Sequence, residues 1–258
     1  MAQAQALTPG EPDPIDESRM TLMEHLNDLR MALMWIGAAL IVGTAISLFF
    51  AEDILVFLSG PVDAVEERLI AITPMEKIII FFKIAFTAGT IAALPVIVYQ
   101  IIAFVAPGLY PHEKRIVYST LPGVMILFII GASFAFWIMI PLAVDFLAGF
   151  LDDAIETEWT VESYYALVIR LVFWIGVSFE MPLVITILAR IGLVSGPALL
   201  RFWRHAIVTI AVLAAFITPT VDPVNMAIVM APLIVLYFLS VGMAYLVFKP
   251  REPRDFND

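Results

Sequence analysis

Six long apolar segments decide what this chain of 258 residues can fold into. A helix rises about 1.5 Å per residue, so it needs about 20 mostly apolar residues to cross a hydrocarbon core of about 30 Å. The segments are residues 31–50, 78–105, 118–147, 164–191, 206–217 and 226–247. Charged residues make up 15% of the chain, against about 25% in soluble domains. The sequence therefore predicts an all-α integral membrane protein with six transmembrane helices.

The fifth segment, residues 206–217, is shorter than the others. At about 1.5 Å per residue it spans only about 18 Å. Two explanations are open. Either residues 199–205 extend the helix while Arg201 and Arg204 direct their charged groups to the membrane surface, or the bilayer thins around this part of the protein.

The positive charges predict how the chain is oriented. Ten of the 14 Lys and Arg residues lie in the two termini or in the loops on the same side as the termini. By the positive-inside rule, both termini are predicted to be cytoplasmic. Acidic residues crowd the loops on the opposite side, and we interpret them as solvated surface. They are Glu52, Asp53, Asp63, Glu66, Glu67, Glu76, Asp152, Asp153, Glu156, Glu158 and Glu162.

The two ends of the chain are predicted to be tails. Residues 1–19 are acidic and rich in proline, which predicts a disordered segment. They lack the basic start of a signal peptide, and no small-residue cleavage site follows the first apolar segment, so we expect that helix to be retained. Residues 20–248 then form one membrane domain, and residues 249–258 form a cytoplasmic C-terminal tail.

Glu180 is the first candidate for a functional residue, because it lies deep within the fourth apolar segment. A charged group at membrane depth costs at least about 2.5 to 3.5 kcal/mol on insertion scales, so such residues usually mark a pathway or a binding surface. Arg170 is not expected to neutralise it, since ten residues separate the two by about 15 Å and turn them to different faces. A buried hydrogen bond with a purely structural role is the alternative for Glu180.

Carboxylates on the cytoplasmic side are the second set of candidates. Glu24 fits a capping box with Thr21 at the start of an amphipathic helix, but Asp28 lies one turn further on the same face. Like charges at this spacing repel each other unless a cation lies over them, although a solvated polar face remains the alternative. Glu113 opens the helix after the Pro107–Gly108 turn, where favourable helix-end electrostatics would also explain it.

Several motifs together resemble the TatC family. They are residues 25–30 (His-Leu-Asn-Asp-Leu-Arg), 93–100 (Ala-Leu-Pro-Val-Ile-Val-Tyr-Gln), 106–110 (Ala-Pro-Gly-Leu-Tyr), 179–182 (Phe-Glu-Met-Pro), Leu200-Arg201, Thr218-Pro219 and Asp222-Pro223. Each motif alone is weak, but they follow the family's order and spacing from about residue 20 to 248. The resemblance implies a cup-shaped bundle of six transmembrane helices with cytoplasmic termini, in the bacterial cytoplasmic membrane. It also implies a function, as the receptor core of the twin-arginine translocase, which exports folded proteins using the proton-motive force.

The resemblance also implies roles for individual residues. Asp28, which stands where the family generally has Glu, and Glu113 would hold the paired arginines of a signal peptide. Glu24, Arg30 and Arg115 lie in the same two motifs and are included in this predicted site. Asp keeps the charge of Glu but is shorter by one methylene, so its contact with the signal peptide is less well determined than that of Glu113.

For Glu180, the resemblance implies a docking position for a single-span partner helix of the TatA or TatB type. Pro182 supports a local opening there, because a proline clashes with the carbonyl four residues back. Further positions match the family without an assigned role: Pro61, Pro95, Pro107, Tyr110 and Asp222. The expected partners are thus TatA- and TatB-type proteins, twin-arginine signal peptides and further copies of the chain. The net charge of −10 gives no reason to expect nucleic acid.

Two other function classes were weighed. A small-solute transporter could use Glu180 with Arg170 or Lys83, but such proteins usually contain matched repeats and paired broken helices, which this sequence lacks. A membrane enzyme is disfavoured because the three histidines stand alone, no Cys occurs, and no H-E-x-x-H or G-x-S-x-G pattern is present. We therefore expect no catalytic residue, metal or cofactor.

Single cysteines test the predicted topology, since the chain contains no native Cys. We expect Asp153→Cys to react with a membrane-impermeant thiol reagent in intact cells. By contrast, Pro9→Cys and Gly108→Cys should react only after the membrane is opened. Labelling of Gly108→Cys in intact cells would reverse the orientation and remove Glu113 from the cytoplasmic side.

Overall fold

The structure is a computed structural model that describes residues 22–63, 69–106, 111–150, 158–218 and 222–248. For a few of these residues only the backbone is described: Leu22, Asp63, Pro111, His112, Glu113 and Ile116. The predicted tails, residues 1–19 and 249–258, lie outside the described residues. The described part is helical apart from short connections and one isolated bridge.

Eleven α-helices follow one another along the described part of the chain. They are α1 Leu22–Ser47, α2 Ala51–Asp63, α3 Pro74–Val105, α4 Pro111–Ser119, α5 Leu121–Phe134, α6 Ile140–Gly149, α7 Val161–Ser178, α8 Met181–Arg190, α9 Gly196–Arg201, α10 Trp203–Ile217 and α11 Pro223–Val247. A π-helical segment, Ala135–Met139, joins α5 to α6 just before Pro141. This widened turn accommodates Pro141, which has no N–H for a regular helical bond.

Five helical stretches in the described residues are long and apolar enough to cross a membrane. They are Met23–Ser47, Pro74–Val105, Leu121–Gly149, Val161–Arg190 and Pro223–Val247. A shorter apolar helix, Trp203–Ile217, lies where the fifth segment was predicted. Its 15 residues correspond to about 22 Å. The positions of the predicted segments are confirmed, while the count of six crossings stays a prediction.

The short helix α10 begins where the chain turns at Phe202, so α9 and α10 do not form one continuous helix. Before this turn, α9 runs along α11. A Cβ atom on Gly196 would come within 2.5 Å of the Tyr245 ring. Further along α9, the Tyr237 hydroxyl donates to the Leu199 carbonyl at 2.6 Å. Both tyrosines belong to α11, so α9 packs against α11 before the chain turns into α10.

The longest helix, α3, packs closely against α1. A Cβ atom on Gly89 of α3 would lie 2.4 Å from the Thr44 nitrogen, and one on Gly43 of α1 would lie 2.6 Å from the Gly89 oxygen. The two backbones therefore touch directly, as small residues permit between membrane helices. This crossing fixes α1 on α3.

Contacts between glycines and phenylalanine rings also hold α5 against α7. Gly131 of α5 leaves room for the Phe179 ring, and Gly176 of α7 leaves room for the Phe128 ring. The Phe128 side chain is only 1% exposed. Because each ring fills the space above a glycine on the opposite helix, these two helices are held in a defined register.

Hydrogen bonds join the start of α7 to α2 and to the segment between α2 and α3. Ile70 forms an isolated bridge with Thr160, in which the Ile70 N–H donates to the Trp159 carbonyl at 2.9 Å. The hydroxyls of Tyr164 and Tyr165 donate to the carbonyls of Leu58 and Leu55. The end of α2 and the start of α7 therefore lie on the same side of the bundle.

The acidic residues on this side differ from the prediction in one case. Glu76 is not solvated. It is buried, and its carboxylate accepts hydrogen bonds from the N–H groups of Ile72 and Thr73, capping the start of α3. Glu52, Asp53 and Glu158 are exposed as predicted. Glu162 is also exposed and forms an ion pair with Lys83 at 3.6 Å. The remaining predicted acids have side chains outside the described residues: Asp63, Glu66, Glu67, Asp152, Asp153 and Glu156.

Replacing Gly89 by Leu tests the contact between α1 and α3. We expect Gly89→Leu to lower the thermal unfolding midpoint in detergent by roughly 2 to 12 °C, since overpacking a rigid contact costs about 1 to 3 kcal/mol. Gly37→Leu in α1 is the matched control, because a Cβ atom there has no neighbour within 4 Å. Equal midpoints for the two variants would contradict the close crossing.

Candidate functional site

The continuous fourth segment of the sequence is interrupted at Glu180. Helix α7 ends at Ser178 and α8 begins at Met181, with Pro182 buried in the first turn of α8. Pro182 has no N–H and cannot continue the hydrogen bonding of α7, so the local opening expected beside it is present. The backbone carbonyl of Glu180 still accepts a bond from the Val184 N–H at 3.0 Å, which starts the new helix.

The Glu180 side chain lines a groove of about 370 Å³ between α3, α5 and α8, which we call the Glu180 groove. Its walls include Val98 and Ile101 of α3, Val124 of α5, and Leu183 of α8. Glu180 is the only charged residue among the described ones that line it. A single carboxylate in an otherwise apolar groove can form a hydrogen bond with one polar group of a ligand that is itself mostly apolar.

Both oxygens of the Glu180 carboxylate are buried, and neither has a hydrogen-bond partner in the described part of the protein. The backbone of Phe128 is near, but not with the distance and angle of a hydrogen bond. Arg170 forms no ion pair with Glu180, as expected from their spacing. A buried polar atom without a partner costs about 1 to 3 kcal/mol. The described residues therefore provide no structural hydrogen bond that would explain Glu180.

A second groove lies between the start of α1 and the last turns of α3, and we call it the Asp28 groove. Its volume is about 610 Å³, and among the described residues Asp28 is the only charged one lining it. The other lining residues are Met31, Ala32 and Trp35 of α1, and Tyr99, Gln100, Ala103 and Phe104 of α3. At its edge the His25 ring stacks on the Phe104 ring, with centroids 4.2 Å apart.

The Asp28 groove has the chemistry of a site for an organic cation. A carboxylate accepts paired, charge-assisted hydrogen bonds from a guanidinium, and aromatic faces attract cations. Asp28 supplies the carboxylate, and Trp35, Tyr99 and Phe104 supply aromatic surface. Gln100 adds an amide that can accept or donate a hydrogen bond.

The other predicted site residues occupy different positions. Glu24 and Arg30 are exposed on α1 and are not among the residues lining the Asp28 groove. Arg115 is exposed on α4. Glu113 is in the first turn of α4, but its side chain lies outside the description, so its approach to Asp28 stays a prediction.

The family-matched positions without assigned roles lie within helices or at a helix start where they are described. Pro61 is in the last turn of α2, and Pro95 is within α3. Asp222 caps α11, because its carboxylate accepts from the Asn225 N–H at 2.7 Å and from the Asn225 side-chain amide at 2.9 Å. Pro107 and Tyr110 lie outside the described residues.

Sequence reasoning missed the aromatic walls of the Asp28 groove. Tyr99, Gln100, Ala103 and Phe104 recur at helical spacing near the end of α3, a pattern that marks one helix face. This face was readable, but the sequence did not indicate that it lies opposite Asp28 on α1.

Comparison with known proteins gives consistent matches. The family model described as Sec-independent protein translocase protein (TatC) matches residues 24–232. The Sec-independent protein translocase protein TatC of Aquifex aeolicus is 37% identical over 238 residues, covering 90% of this chain and 98% of that protein. The protein of the same name from Koribacter versatilis is 34% identical over 241 residues, covering 91% of this chain and 88% of that protein.

A solved structure is also similar. A crystal structure of the twin arginine translocase receptor TatC superposes with a TM-score of 0.79 and 36% sequence identity. The match covers 87% of this chain and 99% of that chain. Both the helical arrangement and the sequence are therefore similar over nearly the whole solved chain.

Proposed function

Because the chain belongs to the TatC family of Sec-independent protein translocase proteins, we propose that it captures twin-arginine signal peptides and recruits TatA- and TatB-type partner helices. It is a multi-pass protein of the bacterial inner membrane and a component of the twin-arginine translocase. In the proposed cycle, several copies of the chain assemble with these partners and export folded proteins using the proton-motive force. Members of this family are translocase components and receptors, so we assign no catalytic residue and no cofactor.

The observation that supports signal-peptide capture is the Asp28 groove. Within the described part of the chain, Asp28 is its only charged lining residue, among aromatic side chains of α1 and α3. One arginine of the signal peptide pairs with Asp28, and the second pairs with Glu113 from the first turn of α4. Helix α4 follows closely after Phe104, a wall residue of this groove, so both acids belong to the same end of the bundle. Arg30, Arg115 and Glu24 surround this end and complete the proposed site.

The observation that supports partner docking is the unpaired Glu180 carboxylate. Its groove is apolar and its two oxygens lack a partner among the described residues. A transmembrane helix that carries one hydrogen-bond donor would satisfy Glu180 and cover the apolar walls. Hydrogen bonds between membrane helices contribute roughly 0.6 to 2 kcal/mol each, so this contact selects a partner without holding it permanently. Glu180 lies at the break between α7 and α8 and lines the groove in which that partner would bind.

Substitution of the cytoplasmic acids tests the signal-peptide site. We expect Glu113→Ala, and to a lesser degree Asp28→Ala, to reduce crosslinking to a photoreactive twin-arginine peptide without unfolding the protein. A desolvated charge-assisted contact contributes roughly 1.5 to 3 kcal/mol, and an exposed one much less. Glu52→Ala, an exposed acid in α2, is the matched control. Wild-type crosslinking by Glu113→Ala would reduce Glu113 to a helix-end residue.

Substitution of Glu180 separates partner docking from signal-peptide binding. We expect Glu180→Ala to keep the signal-peptide crosslink but to lose the crosslink to the partner helix and to lose export. Glu180→Gln should lose less, because both Gln and a protonated Glu can donate a hydrogen bond in a low-dielectric setting. A role that requires an ionised Glu180 would make Gln as defective as Ala.

Two outcomes of this experiment would contradict the docking role. Export by Glu180→Ala at the wild-type level would leave Glu180 as a structural acid only. Loss of the signal-peptide crosslink in the same variant would indicate misfolding, which circular dichroism and the thermal unfolding midpoint would reveal.

A further inference from the structure

Arg170 is a charged residue of the same membrane-spanning stretch as Glu180, Val161–Arg190, and the proposed function does not use it. It lies in α7, nine residues after Val161, and therefore about 13 Å along the helix from its first residue. A cation at this depth is costly and usually faces an anion or a polar cavity. Among the described residues, no hydrogen bond or ion pair reaches its guanidinium group; the ion pair present is Lys83–Glu162.

The Arg170 side chain lines a groove between α3 and α7, which we call the Arg170 groove. Its volume is about 170 Å³. Phe86, Ile169, Phe173 and Trp174 form apolar walls, and Thr87 and Thr90 of α3 line the groove as well. The Thr90 hydroxyl already donates to the Phe86 carbonyl at 2.8 Å. Arg170 and Thr87 are therefore the groups with donors left for a ligand.

No acid of the neighbouring helices neutralises Arg170 in the described part of the chain. Glu76 of α3 accepts from the backbone at the start of its own helix, and Glu162 of α7 is paired with Lys83. Glu180 lies about 15 Å further along and lines a different groove. The anion that balances Arg170 must then come from outside these helices.

We propose that Arg170, with Thr87, binds the phosphate of a phospholipid from the leaflet in which α7 begins. Side chains on a helix lean toward its N-terminus, so the guanidinium of Arg170 is directed toward that membrane surface. The planar donors of arginine match two phosphate oxygens at once, which a lysine ammonium does not. Beneath the phosphate, the acyl chain lies against Phe173 and Trp174.

The size of the Arg170 groove favours a lipid chain over a protein helix. An apolar cavity of about 150 Å³ holds a molecule of the size of benzene, so this groove takes a short stretch of acyl chain. A helix with its side chains is about 10 to 12 Å wide and does not fit inside it. The arrangement of the groove also matches a phospholipid, because Arg170 would face the phosphate and the apolar walls would face the acyl chain.

Trp174 provides a reporter for this site, because it is one of the groove walls. The chain has 5 tryptophans. Replacing Trp35, Trp137, Trp159 and Trp203 by Phe leaves Trp174 as the only one. The full-length variant, purified in detergent and freed of bound lipid by detergent exchange, is titrated with phosphatidylglycerol that carries brominated acyl chains, which quench tryptophan fluorescence on contact. We expect quenching that saturates, as binding to a defined site requires.

Substitutions of Arg170 then test whether its guanidinium group binds the lipid phosphate. In the same background, Arg170→Gln should weaken the saturable quenching about tenfold or more, the effect of losing a charge-assisted contact. Arg170→Lys should be intermediate, since it keeps the charge but not the paired donors. Arg190→Gln, a change of the same kind at an exposed arginine of α8, is the matched control and should bind as the parent does. Brominated diacylglycerol, which has acyl chains but no phosphate, should not give saturable quenching.

Several results would overturn the proposal. Quenching of equal affinity in Arg170→Gln and its parent, or by diacylglycerol and phosphatidylglycerol, would show that the phosphate is not recognised. Displacement of the lipid by millimolar inorganic phosphate would identify a site for the free ion. Loss of a co-purified partner chain in Arg170→Gln, with unchanged lipid quenching, would assign Arg170 to an acid of that partner. If Arg170→Gln does not fold, as judged by circular dichroism, Arg170→Lys decides: binding as tight as the parent's would contradict paired recognition.

Discussion

The contact of α3 with α1 at Gly89 and Gly43 is the interaction on which the functional surfaces depend. Helix α3 forms one wall of all three grooves. Its residues Phe86 and Thr87 line the Arg170 groove, Val98 and Ile101 line the Glu180 groove, and Tyr99, Gln100, Ala103 and Phe104 line the Asp28 groove. Since the Asp28 groove exists only where α1 lies against α3, the glycine crossing determines its shape. Val98 and Tyr99 are adjacent in α3 and line the Glu180 groove and the Asp28 groove respectively, so a shift of this helix would alter both grooves together.

Each groove contains one charged side chain, and this pattern connects the fold to the proposed function. In the described part of the chain, Asp28, Glu180 and Arg170 are each the only charged residue lining their groove, and none of them forms an ion pair. Glu180 and Arg170 lie within a membrane-spanning stretch with little water to satisfy them, and Asp28 lies near the start of α1, so in our proposal each of the three requires a binding partner. A cationic peptide for Asp28, a polar helix for Glu180 and a lipid phosphate for Arg170 each meet that requirement. On this proposal, the protein is organised as a receptor whose charged groups are paired by its binding partners.

The sequence predicted the parts of this structure that depend on local pattern. The apolar segments gave the positions of the long helices, and Pro182 next to Glu180 gave the break between α7 and α8. Helix α2 was missed because it begins with two acids and contains Gly60 and Pro61, which are typical of a loop. The role of Glu76 was missed although Thr73 and Glu76 have the spacing of a capping box. The Asp28 groove depends on a contact between residues about 70 positions apart, which no local spacing reveals. The role of Glu113 in signal-peptide binding remains a prediction, since its side chain lies outside the described residues.

Export of a folded reporter that carries a twin-arginine signal peptide is the most direct test of the receptor function. The measurement is the location of the reporter in the organism that encodes this chain, in the parent strain, in a strain with the gene deleted, and in the deletion strain with the gene restored. The account predicts that the reporter accumulates in the cytoplasm of the deletion strain and is exported again when the gene returns. Normal export in the deletion strain would contradict it.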